Sequence, residues 1–131
     1  MVKFVRVIFM LNKLQRLKKL RADVSRTQSR INDIKLIESE NKFPNSLGLM
    51  QKLIDELKVD LADRQREHET LTVEVTNELH SKLTDHAVIR VLLLRHVKGM
   101  KFDSIARRIG CSSRWARKLY RHGLETLSAD Q

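Results

Sequence analysis

The chain has 131 residues with one proline, four glycines, one cysteine and a formal net charge of +10. Few helix breakers in a chain rich in Leu, Lys, Arg and Glu predict an all-α protein. The lone Cys111 excludes an internal disulfide and has no Cys or His nearby at zinc spacing. The apolar run Val7 to Leu11 is too short for a membrane span. We therefore expect a cytoplasmic protein with no metal, no cofactor and no membrane partner.

The charge is distributed unevenly along the chain. Residues 1–35 carry a net charge of +8, residues 36–81 carry −5, and residues 82–131 carry +7. The opposite signs of the first two segments favour their packing against each other. The basic C-terminal third indicates a polyanionic partner.

The first segment, from about Phe4 to Asn41, has the apolar pattern of a long helix. Lys13 and Thr27 interrupt an otherwise apolar seam, so the heptad pattern is imperfect. The seam residues recur every seven positions: Met10, Leu17, Val24 and Ile31, widened by Leu14, Leu20, Ile34 and Ile37.

A break at residues 41–46, around Pro44, separates this helix from a second one over about Leu47 to Ser81. The second helix has Arg64 and His68 within its apolar stripe. The stripe consists of Met50, Leu53, Leu57, Leu61, Leu71, Val75 and Leu79. We expect residues 1–82 to form a long antiparallel helical hairpin. A bare hairpin buries only one stripe per helix, which favours a homodimer through the hairpin; packing of the hairpin on its own C-terminal domain alone is the alternative.

Residues 83–131 predict a second, smaller helical domain. Thr84 or Asp85 can cap a helix that ends near Gly99. The next stretch, from Phe102 to Leu119, has the spacing of a helix-turn-helix. Its turn glycine, Gly110, lies between two short apolar faces: Ile105, Ala106 and Ile109 on the first helix, and Ala116 and Leu119 on the second.

The outward face of the last helix is basic, with no acid among the residues that define it, as a helix in a DNA major groove requires. Arg114 and Arg117 are the best candidates for base contacts, followed by Ser113 and Lys118, and Arg121 is expected to meet phosphate. Trp115 is expected to pack inward beside Ala116, with a sugar-phosphate contact as the alternative. The remaining DNA-binding candidates are Ser112, Lys101, Arg107 and Arg108. No carboxylate pair, Ser/His/Asp set or phosphate loop stands out, so we expect no enzyme activity.

Two groups of residues in this region resemble known families. Arg90 to Gly99, Ile105-Ala106 and Ile109 to Ser112 resemble the fourth conserved region of bacterial sigma factors, a helix-turn-helix that reads the −35 promoter element. The run from Ser112 to Tyr120 is similar to the C-terminal part of ArpU/RinA-like regulators of Gram-positive phages, in which a coiled-coil half precedes a sigma-like motif. The resemblance implies a DNA-binding regulator of phage late transcription in the cytoplasm of a bacterial host cell. We expect it to be an activator, with RNA polymerase as a further partner, although the sequence leaves open whether it activates or represses. Nothing resembles the region that opens the −10 element, so a complete sigma factor is not expected.

Two other functions remain open from the sequence. A DNA-recognition subunit of a packaging machine, like a small terminase, would also combine these parts, although such subunits usually place the motif first. Alternatively, the hairpin is an interaction module that captures a repressor or RNA polymerase.

Overall fold

In a computed structural model, the backbone is described for residues 2–40 and 44–129, and the side chains for residues 10–40 and 45–128. The described residues form five α-helices, a 3-10 turn at Pro44–Ser46 and no strand, which confirms the all-α prediction. The helices are α1 (Val2–Ser39), α2 (Leu47–Lys82), α3 (His86–His96), α4 (Phe102–Ile109) and α5 (Ser113–Ala129). Part of the predicted break, residues 41–43, lies outside the described residues. Among the described residues, no helix combines the length and the apolar character needed to cross a membrane.

The chain divides into two compact units. The terminal unit comprises Met1–Lys19 and Thr70–Gln131, and the middle unit comprises Leu20–Glu69. These divisions fall inside α1 and α2, whereas the sequence predicts a domain boundary between residues 82 and 83. The difference arises because Met10, Leu14 and Leu17 of α1 and Val75 and Leu79 of α2 contribute to the core around α3, α4 and α5.

The core of the terminal unit takes buried side chains from every helix. Lys13, a predicted interruption of the α1 seam, pairs with Glu74 at 2.8 Å and with Glu78. Hydrogen bonds to these two carboxylates raise the pKa of Lys13. The buried apolar side chains are Met10, Leu14 and Leu17 of α1, Val75 and Leu79 of α2, Leu83 of the linker, Val88, Ile89, Val91 and Leu92 of α3, Ile105 and Ala106 of α4, and Ala116, Leu119 and Leu127 of α5.

The middle unit has its own small core of Ile31, Ile54 and Leu61. The sequence placed Leu53 in the apolar stripe, but Leu53 is 42% exposed and its neighbour Ile54 is buried. The prediction for this position is wrong because Ile54 and Leu61 are seven residues apart and share a face, from which Leu53 is rotated by about 100°.

Arg64, a charged residue within the predicted apolar stripe of α2, forms two ion pairs in the middle unit. Arg64 donates to Asp23 at 2.8 Å and to Asp60 at 3.0 Å. Hydrogen bonding to Asp60 is the main cause of a raised Arg64 pKa. Thr27, the second predicted interruption of the α1 seam, is buried.

Local signals set the ends of the helices in the C-terminal region. The carboxylate of Asp85 caps α3 by accepting hydrogen bonds from the backbone N–H groups of Ala87 at 2.9 Å and Val88 at 3.5 Å. Helix α3 ends with Val97 as its C-cap, so the predicted Gly99 lies two residues beyond, with a positive φ of 65°. This glycine therefore shapes the loop rather than the helix end.

Helix α5 is continuous through Gly123, although glycine is a poor helix former. A Cβ atom at this position would lie 2.7 Å from Cγ1 of Val88 and 3.0 Å from Cδ1 of Leu92. The glycine therefore serves the close approach of α3 to α5, and α5 reaches Ala129 as one helix.

Candidate nucleic-acid interface

The turn between α4 and α5 depends on Gly110. This residue has φ 76° and ψ 43°, the left-handed conformation that glycine adopts at little cost. The N–H groups of Gly110 and Cys111 both donate to the carbonyl of Ala106 at 2.9 Å, which closes the end of α4. The predicted turn glycine is confirmed, and Cys111 beside it is partly buried.

Two serines fix the start of α5. The Ser112 hydroxyl accepts the backbone N–H of Trp115 at 3.1 Å and so caps the helix. The Ser113 hydroxyl donates to the carboxylate of Asp103 on α4. Each hydroxyl is thus engaged within the protein, although each can still form one further hydrogen bond with a ligand.

A basic groove runs along the exposed face of α5. It has a volume of about 260 Å³ and is lined by Arg114, Arg117, Lys118 and Arg121. These positions follow the i, i+3, i+4, i+7 spacing of one helix face. All four side chains are exposed, so their positive charge is available to an anionic ligand. The structure therefore brings together four of the residues predicted to bind DNA.

The ring of Phe102 contacts Arg117, one of the residues that line this groove. The guanidinium carbon of Arg117 lies 5.7 Å from the ring centroid, and that of Arg95, on α3, lies 4.5 Å from it. Tyr120 meets the same ring edge-on at 5.4 Å between centroids. Arg95 also donates to the carbonyl of Met100 at 3.0 Å. Cation–π attraction thus holds both guanidinium groups against one ring.

Arg95 and Phe102 are not among the DNA-binding residues predicted from the sequence. No local pattern relates them to Arg117, because the three residues lie on three different helices. The composition offers only a weak signal: Phe102 and Tyr120 are two of only six aromatic residues in the chain.

Trp115 is exposed rather than packed inward. Its exposed fraction is 49%, and Nζ of Lys118 lies 5.4 Å from its ring centroid. The prediction of inward packing is wrong because Ala116 itself occupies the buried face of α5, which leaves the preceding residue on the flank. The indole thus adds an aromatic surface beside the basic groove.

The three basic candidates around α4 are exposed but do not line the groove. Lys101 is the N-cap of α4, without a side-chain capping hydrogen bond. Arg107 and Arg108 occupy its last turn. These residues form a second set of cations in the same unit.

Acidic residues flank the basic face at both ends, beyond the residues that were predicted to define it. Asp103 reaches Ser113 at the start of α5. Glu125 is exposed and follows Arg121 by four residues, so it lies on the same face one turn later. The acid-free part of the face extends only from Arg114 to Arg121.

In the described part of the chain, no cluster of His, Cys, Asp and Glu side chains is arranged to hold a metal ion. The chain matches no model of a protein family, no curated protein and no solved structure.

Proposed function

We propose that the chain is a sequence-specific DNA-binding regulator that activates phage late genes and binds promoter DNA through α5. The observation that carries the proposal is the groove formed by Arg114, Arg117, Lys118 and Arg121 on one exposed helix face. A face of this kind matches what the major groove requires, because arginine can donate two parallel hydrogen bonds to a guanine edge.

Each cation has a proposed role in binding. Arg114 and Arg117 contact base edges, and Arg121 contacts phosphate. Lys101, Arg107 and Arg108 add phosphate contacts from α4. The exposed indole of Trp115 lies against the sugar-phosphate backbone, a role favoured by its position on the flank of the groove. Phosphate contacts set affinity and salt dependence, whereas base contacts set specificity.

The proposal includes an antiparallel hairpin of α1 and α2 that mediates homodimerisation. Contacts inside the middle unit support it: Asp23 pairs with Arg64, and Lys35 and Glu38 line one groove with Gln51 and Lys58. Later residues of α1 thus lie beside earlier residues of α2, as expected for two antiparallel helices. A two-fold dimer would favour half-sites about one helical turn apart, roughly 34 Å.

The phage context and the contact with RNA polymerase depend on the resemblance of Arg90 to Tyr120 to sigma region four and to ArpU/RinA-like regulators. A four-cation groove on the last helix is compatible with that resemblance.

A titration of fluorescent DNA from the neighbourhood of the encoding gene, followed by anisotropy at several salt concentrations with random competitor, tests the proposal. We expect tight binding to one fragment that survives competitor. Arg114→Ala should cost about 1–3 kcal/mol at one base-pair position. Arg121→Ala should weaken all sequences equally and reduce the salt slope by about one.

Lys58→Ala is the matched control, because it removes one exposed positive charge from the middle unit. It should leave affinity and specificity unchanged. Uniform weak binding that disappears by about 200 mM salt would contradict the proposal, since general charge alone would explain it.

A further inference from the structure

The middle unit carries an unfilled groove on one side of its two helices. The groove has a volume of about 450 Å³ and an apolar floor of Ile34, Leu53 and Leu57. Leu53 is 42% exposed although its side chain is entirely apolar. Ile34 and Leu57 pack partly against the core of Ile31, Ile54 and Leu61, and their remaining surface lines the groove.

Apolar surface continues along both helices beyond the groove. Ile37, 41% exposed, follows Ile34 by three residues, and Leu49, 64% exposed, precedes Leu53 by four. Residues at these spacings are neighbours on a helix surface. The result is a continuous apolar strip, and exposed strips of this kind mark sites of protein association.

The charged rims of the groove indicate what covers it. Arg30 and Asp33 lie on the α1 side, and Glu56 and Asp60 on the α2 side. Asp60 is bound to Arg64. Within the part of the chain that the structure describes, no hydrogen bond or ion pair engages Arg30, Asp33 or Glu56. The unpaired charges are therefore one cation, Arg30, and one anion, Asp33, on the α1 side, and one anion, Glu56, on the α2 side.

We infer that this groove is covered by the same groove of a second copy of the chain, with Arg30 of each copy facing Glu56 of the other. A two-fold axis parallel to the helices sets α1 of one copy opposite α2 of the other, so Arg30, the cation among the groove residues, meets the unpaired Glu56. Such an interface uses the same patch twice. The inference rests on the homodimer of the proposed function and specifies the surface through which the two copies associate. It does not depend on DNA binding.

Sedimentation of the full-length chain without DNA tests the inference, using Arg30→Glu and Glu56→Arg separately and then mixed. In a homodimer of either variant, each of the two symmetry-related contacts joins like charges. We expect both variants to dissociate at concentrations where the wild-type chain is dimeric, with Kd raised at least about tenfold. In a mixed pair, one contact joins the two substituted side chains, which carry opposite charges, and the other joins the native Arg30 and Glu56. The mixture should therefore regain the wild-type Kd as a heterodimer.

The rescue by mixing can only come from contacts between chains, since no charge within either chain changes on mixing. Lys35→Glu is the matched control: it makes the same charge reversal on the same helix, but in a different groove, beside Glu38 and Lys58. It should leave the dimer intact, and circular dichroism should give the same helix content for all variants. The inference is overturned if the wild-type chain stays monomeric up to about 100 μM, if the single variants dimerise as the wild type does, or if the mixture fails to associate. A monomer that still binds its operator would leave the DNA-binding proposal standing without this interface.

Discussion

Nε2 of His96 lies 2.9 Å from the hydroxyl of Tyr120, and the two rings stack with centroids 5.7 Å apart. His96 is 8% exposed. Burial is the main cause that lowers the pKa of His96 from 6.5 to about 4, and the positive charges of Arg95 and Lys18 also lower it. A hydrogen bond with the backbone of Leu14 has a smaller effect in the opposite direction. Burial likewise raises the pKa of Tyr120. The imidazole that links α3 and α5 is thus held in its uncharged form by burial.

We predict that the terminal unit loses stability as the pH falls from 6.5 towards 4. In this range the unfolded chain binds a proton at His96 that the folded chain does not bind, so protonation favours unfolding. The contribution of His96 is fully present above pH 6.5 and is lost by about pH 4, with a total of about 2–3 kcal/mol. Denaturant titrations at several pH values, followed by the fluorescence of Trp115, measure it.

His96→Gln is the control, because glutamine can hydrogen-bond to Tyr120 without titrating. The difference in stability between wild type and variant should change with pH only between about 6.5 and 4, whereas carboxylate titration affects both proteins equally. A pH-independent difference would mean that His96 titrates normally in the folded chain.

A second prediction concerns the close approach of α3 and α5. Gly123→Ala should destabilise the protein by about 1 kcal/mol. Alanine is the better helix former by up to about 1 kcal/mol, but overpacking costs about 1–3 kcal/mol and outweighs that gain. The new methyl group would lie 2.7 Å from Cγ1 of Val88, a stiff β-branched side chain.

Gly48→Ala is the matched comparison, since Gly48 lies in α2 with no positive φ and with nothing within 4 Å of the position that an added methyl group would take. It should be neutral or stabilise by up to about 1 kcal/mol. Thermal unfolding followed by circular dichroism measures both variants. Equal stabilisation by the two substitutions would show that α3 and α5 are not in close contact at Gly123.

The parts of the structure that follow from local sequence rules are those that the sequence predicts well. The left-handed turn at Gly110, the cap at Asp85 and the basic spacing from Arg114 to Arg121 each depend on residues within about one or two helical turns. The contacts of Phe102 with Arg95 and Arg117 join three helices and leave no periodic signal.

The errors at Leu53 and Trp115 share a physical origin. In both cases a neighbouring residue, Ile54 or Ala116, takes the buried position, and a shift of one residue rotates the side chain by about 100°. Hydrophobicity alone does not decide which of two adjacent apolar residues faces the core. That choice depends on the tertiary contacts of the helix.

A third prediction assigns Phe102 a positioning role for Arg117. Phe102→Leu should lower DNA affinity about threefold, because a cation–π contact at an exposed site contributes about 0.5–1 kcal/mol to the placement of the guanidinium. Stability should also fall by about 1 kcal/mol as the edge-on contact with Tyr120 is lost.

A double-mutant cycle with Arg117→Ala separates these two effects. If Phe102 acts on DNA through Arg117, Phe102→Leu has little further effect on affinity once Arg117 is alanine. Anisotropy titrations of the four proteins on one DNA fragment give the coupling. Additive losses would show that Phe102 does not position Arg117.

A fourth prediction concerns the acid at the start of the basic face. Asp103→Asn keeps an oxygen that can accept the hydroxyl of Ser113 but removes a negative charge beside the groove. Non-specific DNA binding should tighten about two- to threefold at low salt, because one repulsion from phosphate is removed, and the gain should shrink as salt screens it. Stability should fall by about 0.3–1 kcal/mol, since Asp103 lies in the first turn of α4, where the helix dipole favours an anion.

Asp85→Asn is the comparison, because it makes the same charge change at the N-cap of α3, where asparagine caps as well as aspartate. If Asp103 acts by its position beside the groove, Asp103→Asn should tighten DNA binding more than Asp85→Asn does. The DNA affinity of Asp103→Asn should also depend more steeply on salt concentration. Equal gains from the two variants would mean that only net charge matters, since both remove one acid from the same unit.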